Sequence, residues 1–93
     1  MGDDPRQHQR RLLVREVNEE IRRVNGRFGI RGSCVVLCEC SAHLCLQRVE
    51  LSVPAWERIR AEGHFVVCPG HRDPALDEVV DRAEGYWVVA STL

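Results

Sequence analysis

Lysine is absent from this sequence of 93 residues, so arginine supplies all 13 basic side chains. Without lysine, the chain cannot form a lysine Schiff base, use a lysine general base or place a lysine in a phosphate-binding loop. Several large enzyme classes are thereby excluded. Arginine stays protonated and favours planar, bidentate partners, so the positive charge of this chain suits pairing with carboxylates or phosphates.

Long apolar runs are also missing. No segment approaches the roughly 20 apolar residues that span a bilayer, and the polar residues 1–11 lack the apolar core of a secretory signal. We therefore expect a cytoplasmic protein with no membrane contact. In a reducing cytoplasm, the five cysteines are more typical of thiolate metal ligands than of disulfides. Abundant arginine without lysine also indicates a GC-rich bacterial genome.

The length and charge bound the organisation of the chain. The 93 residues allow one domain with a thin core, and we assign residues 1–8 to a disordered tail and residues 9–93 to that single domain. The 13 basic and 14 acidic side chains give a net charge of −1, which excludes a strong global attraction to nucleic acid. The first 33 residues carry eight arginines and five acids, whereas the remainder carries five arginines and nine acids.

Apolar residues recur at helical spacing in the N-terminal segment. The stripe consists of Leu13, Val17, Ile21, Val24 and Phe28. This pattern predicts a long amphipathic helix. We expect its last turn and Phe28 to dock on the domain and its first turns to project.

Three cysteines form the most informative motif, with Cys38, Cys40 and Cys45 spaced as Cys-x-Cys-x(4)-Cys. On an extended strand, residues i and i+2 point the same way, and the following four residues allow a turn that returns the third sulfur. Three thiolates in this arrangement predict a zinc knuckle, residues 38–45. Zinc is favoured because sulfur-rich tetrahedral sites select it in a non-redox setting.

The fourth ligand has several candidates. His71 follows a rigid Pro-Gly turn just after a strand, a presentation that suits a ligand, so we favour it. Cys68, His43 and His64 remain alternatives. Three thiolates and a neutral imidazole leave a charge of −1 around Zn²⁺, and Arg48 or Arg72 is expected to balance it.

The remaining segments complete an α+β fold. Residues 34–38 read as a buried strand that pairs with residues 48–53, and Ser52 caps a second, short helix that buries Trp56 and Ile59. Residues 75–83 fit a short helix or one arm of a hairpin of residues 78–82 and 86–90, and we favour the hairpin. The fold class is therefore a long N-terminal helix plus a small, mostly antiparallel sheet with a zinc knuckle and a second short helix.

An arginine-rich face on the first helix is a candidate nucleic-acid surface. Its members are Arg10, Arg11, Arg15, Arg22, Arg23, Arg27 and Arg31. Glutamates 16, 19 and 20 interrupt the face, which favours a solvated helix surface over a phosphate-binding one. Nucleic acid remains a possible partner through Arg22 and Arg23.

The chain resembles a family of small, uncharacterised actinobacterial zinc-binding proteins over roughly residues 14–90. The resemblance rests on the segments Val-Asn-Glu-Glu-Ile at residues 17–21, Cys-Glu-Cys with the third cysteine, Leu-Ser-Val-Pro-Ala-Trp-Glu-Arg-Ile-Arg at 51–60, Phe-Val-Val-x-Pro-Gly-His at 65–71 and Gly-Tyr-Trp-Val-Val at 85–89. A glycine commonly follows the second cysteine in that family, where this chain has Ser41. The position of Cys68 is not restricted to cysteine there, which favours His71 as the ligand.

The sequence supports a small zinc-binding protein with a structural, non-enzymatic site. No serine, histidine and acid combination is recognisable, and four protein ligands leave zinc no open position for water. We expect a protein-interaction or regulatory module whose partner is another protein. One alternative is a nucleic-acid-binding zinc module. A second is a thiol-based redox sensor, and Cys34 and Cys68 are the candidate pair for a disulfide or thiol switch.

Overall fold

Two helices and five strands make up the described part of the chain. The computed structural model describes residues 5–27, 32–42 and 45–91. The elements in chain order are α1 (Pro5–Arg27), β1 (Ser33–Leu37), β2 (Arg48–Ser52), α2 (Val53–Ala61), β3 (Phe65–Val67), β4 (Asp77–Ala83) and β5 (Tyr86–Ser91). The predicted α+β class is confirmed. Residues 5–8, assigned from sequence to a tail, form the start of α1, and residues 1–4 lie outside the described residues.

β1 and β2 form an antiparallel pair that flanks the cysteine segment, as predicted. Cys34 lies opposite Leu51, and Val36 lies opposite Val49. All four side chains are buried, because alternate residues of a strand point to the same face. The N–H of Cys38 donates to the carbonyl of Gln47 at 2.8 Å. This bond extends the pairing one step past β1 and carries the first cysteine into the core.

The second sheet has the strand order β3-β5-β4, and both pairings are antiparallel. The β4–β5 hairpin confirms the favoured interpretation of residues 75–83. Gly85 has a φ of 90° at its turn, a value that glycine adopts without steric cost. The register shifts between Val79 and Asp81, so a β-bulge lies at Val80, whose side chain is 49% exposed.

α2 begins and packs as the sequence predicts. The Ser52 hydroxyl accepts a hydrogen bond from the N–H of Ala55 at 3.2 Å, which satisfies one free donor of the first turn. Trp56 and Ile59 are both buried in the main core. The chain leaves the helix through Gly63, whose φ is 72°.

The placement of α1 differs from the expectation that its first turns project, because Arg11 near its start is fully buried. Three members of its apolar stripe face outward: Leu13 is 61% exposed, Val17 is 47% exposed and Val24 is also exposed, whereas Ile21 is half-buried. The inward face instead carries Arg11 and Asn18, which are fully buried. Polar residues are favoured there because the surface below offers backbone and carboxylate groups that need partners. Phe28, the expected docking residue, lies outside the described residues.

Asn18 attaches α1 to the free edge of β1. Its side-chain NH₂ donates to the carbonyl of Leu37 at 2.9 Å and to Oε2 of Glu39 at 2.8 Å. Its Oδ1 accepts a hydrogen bond from the N–H of Leu37 at 2.8 Å. The amide thus pairs with both backbone groups of Leu37, as a neighbouring strand would.

We expect Asn18→Ala to lower the free energy of unfolding by about 2–3 kcal/mol, because buried hydrogen-bonding groups would lose their partner. Urea denaturation followed by tryptophan fluorescence measures the change. Gln9→Ala is the matched control on the same helix, since Gln9 is exposed, and it should shift stability by less than about 0.5 kcal/mol. Equal effects from the two variants would contradict the role of Asn18.

Candidate metal centre

Two of the predicted ligands come from the extended segment just after β1. Cys38 and Cys40 are both buried, and their i, i+2 spacing sends the two side chains to the same side of the backbone. The N–H of Cys45 donates to the carbonyl of Ala42 at 3.3 Å, closing the turn that brings the third cysteine back. His43, one of the alternative ligands, lies outside the described residues.

His71 reaches the cysteines from the other sheet. It follows β3 through Gly70, whose φ is 83°, and its own N–H donates to the carbonyl of Cys68 at 2.9 Å. This turn directs the imidazole at the knuckle. Its Nδ1 lies 3.6 Å from Sγ of Cys38 and 3.7 Å from Sγ of Cys45.

The four predicted residues form one cluster, with their ligand atoms close enough to share a metal ion. The ligand atoms of Cys38, Cys40, Cys45 and His71 all lie within 4.8 Å of one another. With Zn–S near 2.3 Å and Zn–N near 2.05 Å, tetrahedral angles separate sulfur from nitrogen by about 3.5 Å. The observed Sγ to Nδ1 separations of 3.6 and 3.7 Å match that value. The cluster can therefore hold a metal ion.

The electrostatics of the cluster couple metal binding to the loss of a proton. A hydrogen bond with the Cys38 side chain and burial together raise the pKa of Cys40 to about 12. In the metal-free chain, the Cys40 thiol is thus protonated at neutral pH, and a divalent ion must displace that proton. The N–H of Cys68 donates to Sγ of Cys38 at 3.1 Å, a bond suited to a sulfur that carries negative charge as a ligand.

The other ligand candidates are placed differently. Cys68 lies beside the site, but its Sγ contacts the carbonyl of Arg48 at 4.0 Å, and burial raises the pKa of its thiol. His64 lies near α2, with Nδ1 3.6 Å from Oε1 of Glu62. Neither belongs to the four-residue cluster found among the described residues.

Cys34 and Cys68 are poorly placed for the disulfide considered from sequence. Cys34 pairs with Leu51, whereas Cys68 contacts Arg48 at the opposite end of β2. Three residues of strand separate those positions by roughly 10 Å, and a disulfide requires Cα atoms within about 7 Å. Burial also raises the pKa of the Cys34 thiol, which disfavours the reactive thiolate.

The sequence analysis missed a buried polar network that joins α1 to the knuckle. Arg11 binds Asp77 through two bonds, Nη1 to Oδ1 at 2.6 Å and Nη2 to Oδ2 at 2.7 Å. Its Nε donates to the carbonyl of Glu39 at 2.7 Å. Oδ2 of Asp77 accepts the N–H of Asp73 at 2.9 Å, and Asp73 accepts the Ser41 hydroxyl at 2.7 Å. The network therefore connects α1, the knuckle and the segment after His71.

Glu39 lies between the candidate ligands Cys38 and Cys40 and also belongs to this buried polar network. Its Oε2 accepts from Asn18, and its Oε1 accepts the N–H of Val66 at 2.9 Å. Its own N–H donates to the carbonyl of Val66 at 2.8 Å, so Glu39 pairs with β3 at that strand's free edge. Burial raises the pKa of this carboxyl, although the hydrogen bonds oppose the shift. Glu39 thus joins both sheets to α1.

The arginines near the site differ from the expected ones. Arg48 and Arg72, predicted to balance the ligand charge, are exposed. Arg10 instead donates to the carbonyl of Cys45 at 2.8 Å. Arg11, one member of the candidate arginine face on α1, is buried in its ion pair with Asp77 and is not part of the helix surface. The spacing of Arg11 and Asn18, seven residues or two helical turns, is the sequence signal that could have identified this face.

Comparisons with family models, curated proteins and solved structures gave no match to this chain. Within the described residues, no helix is long and apolar enough to cross a membrane.

Proposed function

We propose that this protein is a non-enzymatic, cytoplasmic module of bacterial, actinobacterial type that uses a structural zinc ion to present a protein-interaction surface. The observation that carries the proposal is the cluster of Cys38, Cys40, Cys45 and His71 within 4.8 Å. Four protein ligands close a tetrahedral ion, and a closed site is typical of structural rather than catalytic zinc. The knuckle also lies under α1, so the ion would organise the surface on which that helix is held.

Zinc titration of the reduced chain tests this proposal. We expect one ion per chain and a release of protons, because the Cys40 thiol, with its pKa near 12, is protonated before zinc binds. The apparent affinity should fall as pH falls, by about tenfold per pH unit for each proton released. Calorimetry in buffers of different ionisation enthalpy counts the protons.

Two variants test the ligand assignment. His71→Ala should weaken zinc binding, whereas the matched control Cys68→Ser should retain one tightly bound ion. A wild-type chain that binds no zinc would overturn the proposal. Zinc binding lost in Cys68→Ser and kept in His71→Ala would contradict the proposed fourth ligand.

Nucleic-acid binding through α1 receives less support from the contacts of the two arginines that would carry it. Arg22 pairs with Glu57 at 3.1 Å, and Arg23 pairs with Glu20 at 2.5 Å. A phosphate would have to displace a carboxylate at each position. We therefore place a protein partner ahead of nucleic acid.

A further inference from the structure

We propose that the outward stripe of α1 binds the same stripe of a second copy of this chain, with the two helices antiparallel. The outward stripe is defined as the exposed apolar residues Leu13, Val17 and Val24. The inference builds on the proposed interaction module and names its partner. It starts from the exposure of Leu13 and Val17, which are 61% and 47% accessible on a well-formed helix.

Within the described residues, no element covers this stripe. The opposite face of α1 is held by the buried bonds of Arg11 and Asn18. Toward the C-terminal end, Arg22 pairs with Glu57, and Glu19 pairs with Arg60 at 2.6 Å, so α1 is also fixed against α2. Rotating the stripe inward would break buried polar contacts. The described elements therefore leave the stripe open to another molecule.

The spacing of the stripe suits a helical partner. Leu13, Val17 and Val24 lie on alternating four- and three-residue steps, with Glu20 at the intervening position. This is the seam of a two-helix coiled coil over about three turns. In an antiparallel pair, Leu13 would face Val24 of the second copy, and the reverse contact would repeat by symmetry.

The charges beside the seam select the antiparallel direction and a second copy as the occupant. Glu16 and Arg23 are both exposed and lie seven residues apart, on the same edge of the stripe. In an antiparallel pair, Glu16 of each chain faces Arg23 of the other. Arg23 already pairs with Glu20 of its own helix, so each Arg23 would bridge two carboxylates. This register sets Glu20 against Val17 of the second copy, whereas a parallel pair would set Glu20 against Glu20, which is unfavourable for like charges.

The size of the stripe predicts a weak, reversible dimer. A standard stable interface buries about 1,600 Å², and three apolar side chains from each helix supply considerably less. We therefore expect dissociation in the range of roughly 10–100 μM rather than a permanent assembly.

Sedimentation velocity of the zinc-loaded full chain over a concentration series tests the proposal. The wild type should shift from monomer to dimer as its concentration rises. Val17→Glu should raise the dissociation constant at least about tenfold, since it would set a carboxylate opposite Glu20 of the second copy. The matched control is Val80→Glu, because Val80 is 49% exposed on β4 and outside the stripe. It should leave dimerisation unchanged.

Charge reversal tests the antiparallel register. Glu16→Arg alone and Arg23→Glu alone should each weaken self-association, because like charges would then face each other twice. An equimolar mixture of these two variants should form a heterodimer, since opposite charges then face each other at both positions. Circular dichroism confirms that each variant keeps its helix. A wild type that stays monomeric to about 500 μM, or charge variants that associate like the wild type, would overturn the inference.

Zinc content measured on the same samples separates this inference from the proposed function. A dimer formed by chains without zinc would support the inference and overturn the structural-zinc proposal. Zinc-loaded chains that remain monomeric would overturn the inference and leave the zinc proposal standing.

Discussion

Cys40→Ser is expected to abolish stoichiometric zinc binding and to remove most of the cooperative fold. Structural zinc binds small domains with about 10–16 kcal/mol, whereas a domain of this size has a net stability of roughly 5–10 kcal/mol. The free energy of zinc binding therefore exceeds the net free energy of folding. Elemental analysis measures the zinc, and the fluorescence of Trp56, which is buried in the core, follows the loss of packing. Chelation of zinc from the wild type should have the same result.

Cys34→Ala is the matched control for this experiment. Cys34 is as buried as Cys40 but lies in the β1–β2 core, outside the cluster. The control should keep one zinc per chain and lose about 1 kcal/mol at most, since it removes a single sulfur atom. A Cys40→Ser chain that melts cooperatively at the wild-type temperature would show that the fold does not depend on the metal.

The clustering of the four candidate ligands was predictable because short sequence segments determine where their side chains point. The i, i+2 pair on a strand, the short return to Cys45 and the Pro-Gly turn before His71 each determine a side-chain direction within a few residues. Local backbone geometry determines most of the knuckle conformation, so the sequence alone is enough to predict that the three cysteine side chains converge. The β4–β5 hairpin was predictable for a similar reason, since β-branched residues flank the glycine at its turn.

Which side of α1 packs against the domain was not predictable in the same way. Helical periodicity identifies an apolar stripe, and burial of that stripe is only the usual outcome. In this chain, Asn18 pairs with the edge of β1, and Arg11 pairs with Asp77, 66 positions away in the sequence. Those partners are known only once the sheets are assembled. Tertiary hydrogen bonds thus override the apolar pattern and leave the stripe on the surface.

The same contacts couple the metal centre to the helix. Arg10 and Arg11 bind carbonyls of Cys45 and Glu39, so two bonds of α1 end on the backbone of the knuckle. A knuckle that loses zinc would no longer hold these carbonyls in position. We therefore expect the outward stripe of α1 to be presented in a fixed orientation only when zinc is bound.

Arg11→Met is expected to lower the free energy of unfolding by about 3–5 kcal/mol, the usual cost of leaving one member of a buried ion pair without its partner. Both side chains of the Arg11–Asp77 pair are 0% exposed, and the variant also loses the bond to Glu39 and the contact of the guanidinium with the Phe65 ring at 4.5 Å. Chemical denaturation measures the loss, and an unchanged zinc content would separate it from an effect on the metal.

Arg10→Met is the control for this loss, since Arg10 lies on the same helical turn and makes one bond, to the Cys45 carbonyl. It should cost about 1 kcal/mol. A double-mutant cycle of Arg11→Met and Asp77→Asn should show that the two losses of stability are strongly non-additive, because the second change removes the charge that the first leaves unpaired. Salt near 1 M should change the Arg11 effect little, as buried pairs are weakly screened. Similar costs for the Arg10 and Arg11 variants, with no coupling to Asp77, would mean that the buried pair does not hold α1 to the domain.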